Sequence, residues 1–160
     1  MIKLRPLEKN DNDFDLLYKW CNEEFVYKWF EQKPLSKTEI IHKYTKKLEE
    51  GKQTLYIIQY QGKDIGYTQI YPYEKEKTIY EYDLFIGEKA FLNRGLGVKI
   101  IEVINEKISN DYKVGTYILR PFKRNIQAIK CYKKTGFKII EEYEGINTIG
   151  EKEIIVVMKK

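Results

Sequence analysis

Apolar and polar residues alternate in Ile2-Lys3-Leu4-Arg5 until Pro6 interrupts them, the pattern of a short strand with one buried face. The period then lengthens. Phe14, Leu17 and Trp20 share a helical face, which predicts a helix to about Cys21 with Asp11 or Asp13 as its cap. Ser36, with Glu39 three residues on, forms a capping-box pattern, and Ile40, Ile41, Tyr44 and Leu48 extend one face to Glu50, where Gly51 ends the helix. From Thr54 the chain turns β-rich. Residues 55–60 and 65–71 are joined by Gln61-Gly62-Lys63-Asp64, a hairpin signal, and a third run, 78–86, follows a charged turn at 74–77. After Gly87, Val98, Ile101, Val103 or Ile104, and Ile108 recur at helical spacing. A strand at 116–119, a helix at 125–135 closed by Gly136, and strands at 137–142 and 151–158 complete the chain. This mixed order, without repeats or a low-complexity linker, predicts an α+β domain: a central sheet with helices on both faces.

Composition narrows the setting. With 160 residues and 42% hydrophobic content the chain supports one compact core, so residues 1–160 are expected to form a single domain. No apolar run approaches the roughly 18 to 20 residues of a membrane span, and Met1 leads directly into charged residues rather than an apolar signal segment. A cytoplasmic protein without a membrane partner is expected. Cys21 and Cys131 lie far apart without metal-type spacing, so neither a disulfide nor a metal is expected.

Charge is distributed unevenly. Between Lys89 and Lys138 twelve Lys or Arg face three acids, a net of +9 that would attract an anion. The flanks, 73–88 and 141–153, carry −3 and −4 and favour a cation. Nucleic acid is an alternative ligand for the basic stretch and predicts strongly salt-dependent binding; a small molecule without a nucleic-acid partner is the preferred reading.

Within the basic stretch, Asn93-Arg94-Gly95-Leu96-Gly97-Val98-Lys99 follows a strand and opens a helix. The first N–H groups of a helix have no internal partners, the helix dipole is positive there, and glycine lets a phosphate approach the backbone closely. Arg94 and Lys99 add charge. By itself a Gly-x-Gly turn before a helix also serves as ordinary punctuation. It is neither a dinucleotide fingerprint, which needs a third glycine, nor a P-loop, which ends Gly-Lys-Ser/Thr.

A second cluster follows, Asn125-Ile126-Gln127-Ala128-Ile129-Lys130-Cys131-Tyr132-Lys133-Lys134-Thr135-Gly136-Phe137. Together the two resemble the cofactor motifs of the GCN5-related N-acetyltransferase superfamily, and the order of elements matches that fold from Ile2 to Met158. The resemblance implies acetyl-coenzyme A as cosubstrate, with Arg94, Gly95, Leu96, Gly97, Val98 and Lys99 on the pyrophosphate. It implies Asn125 and Ala128 along the pantetheine arm, and backbone groups of Phe85 and Ile86 offered to pantetheine as to an added strand. The superfamily usually has Gln or Arg where this chain has Leu92, and an apolar residue there is similar to the aminoglycoside 6'-N-acetyltransferases.

Acetyl transfer to an amine requires a neutral nitrogen, donors for the developing oxyanion and a proton for the departing thiolate. Tyr132, seven residues after Asn125, lies about two helical turns on, so both side chains can face one groove. It resembles the general acid of the superfamily; one more core aromatic among fourteen tyrosines is the alternative. Glu81 and Asp83 share one strand face, where two carboxylates can hold an ammonium and remove its proton. Asp83, in Tyr82-Asp83-Leu84-Phe85-Ile86-Gly87-Glu88, resembles the catalytic or amine-binding Asp of the aminoglycoside subgroup; solvation alone also accounts for Glu81. Cys131 suggests a covalent route, but neighbouring helical residues point about 100° apart and no paired histidine is evident. Direct transfer is therefore expected, with His42 a surface residue. Trp29 and Phe30 fall where this fold places an acceptor wall.

Gly66-Tyr67-Thr68-Gln69-Ile70-Tyr71 and Leu16-Leu17-Tyr18-Lys19-Trp20 extend the likeness to the aminoglycoside subgroup. That subgroup commonly has Asp before the proline preceding the Asn motif. Here the pair is Arg120-Pro121, and a cation near the acceptor opposes a polycationic substrate. The expected activity is acetylation of an aminoglycoside 6'-amino group, an antibiotic-resistance function, by a monomer or homodimer. The alternatives are another amine (a protein N-terminus, polyamine, streptothricin-like antibiotic or siderophore precursor) and a non-catalytic acetyl-coenzyme A-binding module.

Overall fold

The structure, a computed structural model, describes residues 1–73 and 75–160. Glu74, from the charged turn expected at 74–77, lies outside them. The alternating start forms β1 (Ile2–Pro6) at one edge of the sheet, where the missing N–H of proline is tolerated. The first helix, α1 (Asp11–Cys21), is capped by Asn10, whose side chain accepts the Asp13 N–H at 2.9 Å. The expected caps are thus corrected. Asp11 sits in the first turn, and Asp13 is drawn inward by Arg5, which donates to its two oxygens at 2.9 and 2.8 Å. A four-residue helix that periodicity did not reveal, α2 (Glu24–Tyr27), precedes α3 (Lys37–Glu50). The latter carries the full capping box between Ser36 and Glu39 and ends at Gly51. Its buried face is Ile40 and Tyr44, with Leu48 at the margin and Ile41 exposed.

β2 (Thr54–Tyr60) and β3 (Lys63–Pro72) meet through Gln61 and Gly62 alone, both at positive φ, as a tight hairpin turn demands. β4 (Ile79–Ile86) adds antiparallel to β3. A 3-10 turn (Lys89–Phe91) leads to α4 (Leu96–Asp111), buried along Leu96, Ile100, Ile101, Ile104 and Ile108, with Val98 and Val103 at the edge of that face. β5 (Thr116–Leu119), α5 (Ile126–Lys134), β6 (Lys138–Ile146) and β7 (Lys152–Lys159) complete a seven-stranded sheet ordered β1-β2-β3-β4-β5-β7-β6. Among the described residues every neighbouring pair is antiparallel except β4 with β5.

Successive side chains of a strand face opposite ways, so β2 feeds two cores. Leu55 and Ile57 pack with Leu17, Trp20, Ile40 and Tyr44 beneath α1 and α3. Tyr56 and Ile58 pack with Ile100, Ile101 and Ile104 of α4 on the other face. Burying each of these side chains contributes roughly 1.5–3 kcal/mol, which is what holds helices to both sides. No helix among the described residues is long and apolar enough to cross a membrane.

The feature that positions the site is where β4 and β5 part. Their pairing runs from Ile79 opposite Thr116 to Glu81 opposite Ile118, and Leu119 then pairs with Met158 of β7. Beyond Glu81, β4 has β3 on one side and, among the described residues, no strand on the other. The sheet is notched there.

Candidate active site

The turn expected to hold phosphate forms the tip of α4, the helix that follows β4. Asn93 and Gly95 are both left-handed, at φ +57° and +72°, a fold-back that sets successive backbone N–H groups to one side. No side chain caps α4, so its first N–H groups keep their donor capacity. Arg94 and Lys99 are exposed beside them, the Arg94 guanidinium 5.1 Å over the Phe91 ring. A Cβ on Gly97 would meet Cys131 Sγ at 2.8 Å, so this tip lies directly against α5. Glycine at position 97 lets the two helices close on one another.

The backbone of β4 separates the two residues expected to meet pantetheine. The Asp83 carbonyl accepts from Thr68 Oγ1 at 2.8 Å, and a Cβ on Gly66 would meet the Phe85 carbonyl oxygen at 2.2 Å. Asp83 and Phe85 therefore direct their backbone groups at β3. Alternate residues direct theirs the opposite way, which leaves Leu84 and Ile86 facing the notch. Of the expected pair, Ile86 opens on the notch and Phe85 does not; Leu84 takes its place. Asn125 caps α5, its Oδ1 accepting the Ala128 N–H at 3.3 Å, which leaves the amide N–H2 of its side chain for a ligand.

Tyr132, half-buried on α5, packs against the core beneath α4. Burial, then the neighbouring Cys131 and the charge on Asp83, hold its phenol well above the usual tyrosine value, so it keeps its proton at neutral pH. Burial likewise pushes the Cys131 thiol up, and its sulfur is packed on Gly97. His42, exposed on α3, is not among the side chains that pack with it. A raised thiol without a base is a poor nucleophile.

Glu81, Asp83 and Phe85 turn to the face covered by α1 and α3. There Tyr27, Phe30, Tyr44, Tyr67 and Phe85 wall a cavity of about 40 Å³ that Asp83 also lines. The Phe85 ring centre lies 5.5 Å from both Phe30 and Tyr67, an aromatic nest that leaves room for little more than the tip of an acceptor. Asp83 Oδ2 accepts from Gln69 Nε2 at 2.8 Å and, weakly, from Tyr71 OH at 3.5 Å. Burial raises the Asp83 pKa above the usual carboxylate value, against the pull of the Gln69 hydrogen bond.

Glu81 is occupied differently. Its Oε1 accepts from Arg120 Nε at 2.8 Å and its Oε2 from Tyr71 OH at 2.6 Å, while Arg120 also donates to Tyr143 and Tyr73. The acid expected to hold an amine beside Asp83 thus has a built-in counter-ion, and the arginine that stood out as a repelling charge is neutralised. Glu31, on the pocket rim, is paired with Lys43. Among the described residues Asp83 has no salt-bridge partner, so it is the carboxylate here that is available to an amine.

Trp29 is placed otherwise than expected. It lies outside the pocket lining, with the guanidinium of Arg124 4.7 Å from its ring, and Phe30 takes the wall position. Arg124 also pairs with Glu153 at 2.8 Å, which ties the connection after α2 to β7. Tyr71, Gln69 and Lys47 were not among the expected site residues. Gln69 and Tyr71 reach Asp83 because β3 pairs with β4 in a register that sets Gln69 opposite Asp83 and Tyr71 opposite Glu81, and Lys47 of α3 reaches Gln69 in turn. Among the described residues no group of three or more His, Cys, Asp or Glu is placed to hold a metal.

An uncapped, glycine-bearing helix tip beside a notch on one side of the sheet, and a small carboxylate-bearing pocket on the other, suit transfer of a group to an amine. The acetyltransferase (GNAT) domain model matches residues 9–144, and the chain belongs to that family. It is an acetyltransferase with an amine as acceptor. Similar proteins include aminoglycoside N(6')-acetyltransferase type 1 of Klebsiella pneumoniae, 27% identical over 141 residues, covering 80% of this chain and 70% of the relative. A probable spermine N(1)-acetyltransferase of Bacillus subtilis subsp. natto is 26% identical over 106 residues, covering 61% of this chain and 70% of the relative. The crystal structure of aminoglycoside acetyltransferase AAC(6')-Ib with coenzyme A and kanamycin superposes with a TM-score of 0.85 at 25% identity, covering 100% of this chain and 94% of that one.

Proposed function

We propose that the chain acetylates the 6'-amino group of aminoglycosides by direct transfer from acetyl-coenzyme A. The observation that carries the reading is Asp83: a carboxylate without a salt-bridge partner, in a narrow aromatic pocket, in a chain similar over 80% of its length to an aminoglycoside 6'-N-acetyltransferase. The residues present fit the donor. The uncapped tip of α4, with Arg94, Gly95, Leu96, Gly97, Val98 and Lys99, suits a pyrophosphate, and Leu84 and Ile86 offer strand-type hydrogen bonds along the notch. Asn125 and Ala128, at the start of α5, are assigned to the pantetheine arm in this reading. When bound, acetyl-coenzyme A supplies a thioester carbonyl open to attack.

The chain's own groups do the rest. Phe30, Tyr67 and Phe85 exclude water and align an aminomethyl tip, which is why a pocket of about 40 Å³ suffices for a large acceptor whose body stays outside. Gln69 and Tyr71 engage Asp83 Oδ2, which leaves Oδ1 to hold the ammonium and take its proton. Tyr132 keeps a proton on its phenol for the departing thiolate.

The test is release of coenzyme A measured with kanamycin, spermine and a peptide N-terminus as acceptors. Kanamycin is expected to turn over and to carry the new acetyl group on its 6'-nitrogen, with activity lost in D83N and reduced about a hundredfold or more in Y132F. Turnover with spermine or peptide but not with kanamycin would sink the acceptor assignment. Full function of D83A and Y132F in cells would point to a non-catalytic cofactor-binding module.

A further inference from the structure

Behind Asp83 lies a layer of side chains that the chemistry above does not use. The Gln69 carboxamide is held at both ends: Oε1 accepts from Lys47 Nζ at 2.9 Å and from Tyr67 OH at 3.0 Å, while Nε2 donates to Asp83 Oδ2 at 2.8 Å. Turned over, the amide would set N–H2 against an ammonium and its oxygen against a carboxylate, and lose these bonds. Lys47 is itself held by Gln53 at 3.0 Å. It lies seven residues after Ile40, on the inward face of α3, and burial with the nearby Lys43 lowers its pKa. A lysine kept there at such a cost calls for a reason.

We propose that Lys47 is the positioning residue of the acceptor site, turning the Gln69 amide so that its N–H holds Asp83 Oδ2 and leaves Oδ1 for the incoming amine. The inference rests on the reading that Asp83 receives that amine. The other charges facing Asp83 are compensated: Glu81 of β4 by Arg120, and Glu31 by Lys43 of α3. Tyr67 and Tyr71 of β3, Tyr44 of α3, Tyr132 of α5 and Cys21 of α1 are all raised by burial and stay neutral. Among the described residues Lys47 is the cation left to favour the ionised form of Asp83, and its loss removes both the aim of Gln69 and that support.

The experiment is a carboxyl carbon NMR titration of Asp83, assigned with D83N, in wild type, K47M and K47R, together with the pH profile of kcat/KM for kanamycin. K47M keeps the unbranched stem of the side chain without its amine, and K47Q provides a second uncharged variant should K47M not fold. The Asp83 midpoint is expected to rise by about one pH unit in the uncharged variant. Kanamycin kcat/KM then falls about tenfold below that midpoint and recovers toward higher pH, and K47R restores both. An unchanged Asp83 midpoint in the uncharged variant, or an equal rise in K47R, would overturn the proposal. Failure of the functional reading looks different: wild type itself would not acetylate kanamycin, while the titration would still decide the role of Lys47.

Discussion

Arg120 is the most informative residue to remove, because its loss separates two roles for Glu81. Glu81 is 7% exposed, and its carboxylate accepts from Arg120 Nε at 2.8 Å and Tyr71 OH at 2.6 Å. In R120M the carboxylate stays buried with the tyrosine alone. Breaking one side of a buried ion pair costs about 3–5 kcal/mol; because the Arg120 side chain is 32% exposed, so that water partly replaces it, the lower end, about 3 kcal/mol, applies. With an unfolding entropy of about 2.1 cal/mol/K per residue, a chain of 160 residues loses about 9 °C in Tm. E81Q is milder, at about 1 kcal/mol, since Arg120 keeps Tyr73, Tyr143 and solvent. The double variant E81L/R120M returns close to wild type, because an apolar pair replaces a buried ionic one at little net cost. Scanning calorimetry of the four proteins at pH 7.5 reads these differences. An R120M Tm within 2 °C of wild type, or a double variant no better than R120M, would refute the view that Arg120 serves Glu81.

Two further outcomes follow from the same geometry. Burial raises the Asp83 pKa above its unfolded value, so the stability tied to its proton is present below the unfolded value and lost as pH rises through the folded one. D83N is therefore expected to melt above wild type at neutral pH while losing turnover, with the gap closing toward about pH 4; a gap independent of pH contradicts this. In G97A the new methyl meets Cys131 Sγ at 2.8 Å, which should push α5 outward and raise the KM for acetyl-coenzyme A severalfold, and the double variant G97A/C131A should recover most of it. No recovery would mean that the methyl obstructs the donor directly.

Much of this protein was legible along the chain because its signals are local. The capping box at Ser36, the Gln61-Gly62 turn, the helical spacing beneath α4 and the glycine turn before it each depend on residues a few positions apart. The alternation of β4 put Glu81 and Asp83 on one face before any fold was known. The signal for Lys47 was also present: a lysine on the Ile40–Tyr44 face of an amphipathic helix. Spacing could not say what it met.

The sequence by itself determined the elements other than α2, since helix periods, caps and strand alternation are short-range consequences of the backbone, and its resemblance to a known family supplied the donor turn and the acid and phenol candidates. Only the tertiary structure decided which acid is available. Register places Gln69 beside Asp83, and the splay of β5 from β4 brings Arg120 onto Glu81, pairings across 14 and 39 positions that no local pattern encodes. It also decided that Leu84 and Ile86, rather than Phe85, face the notch, because the direction of a strand's hydrogen bonds depends on which neighbour it has.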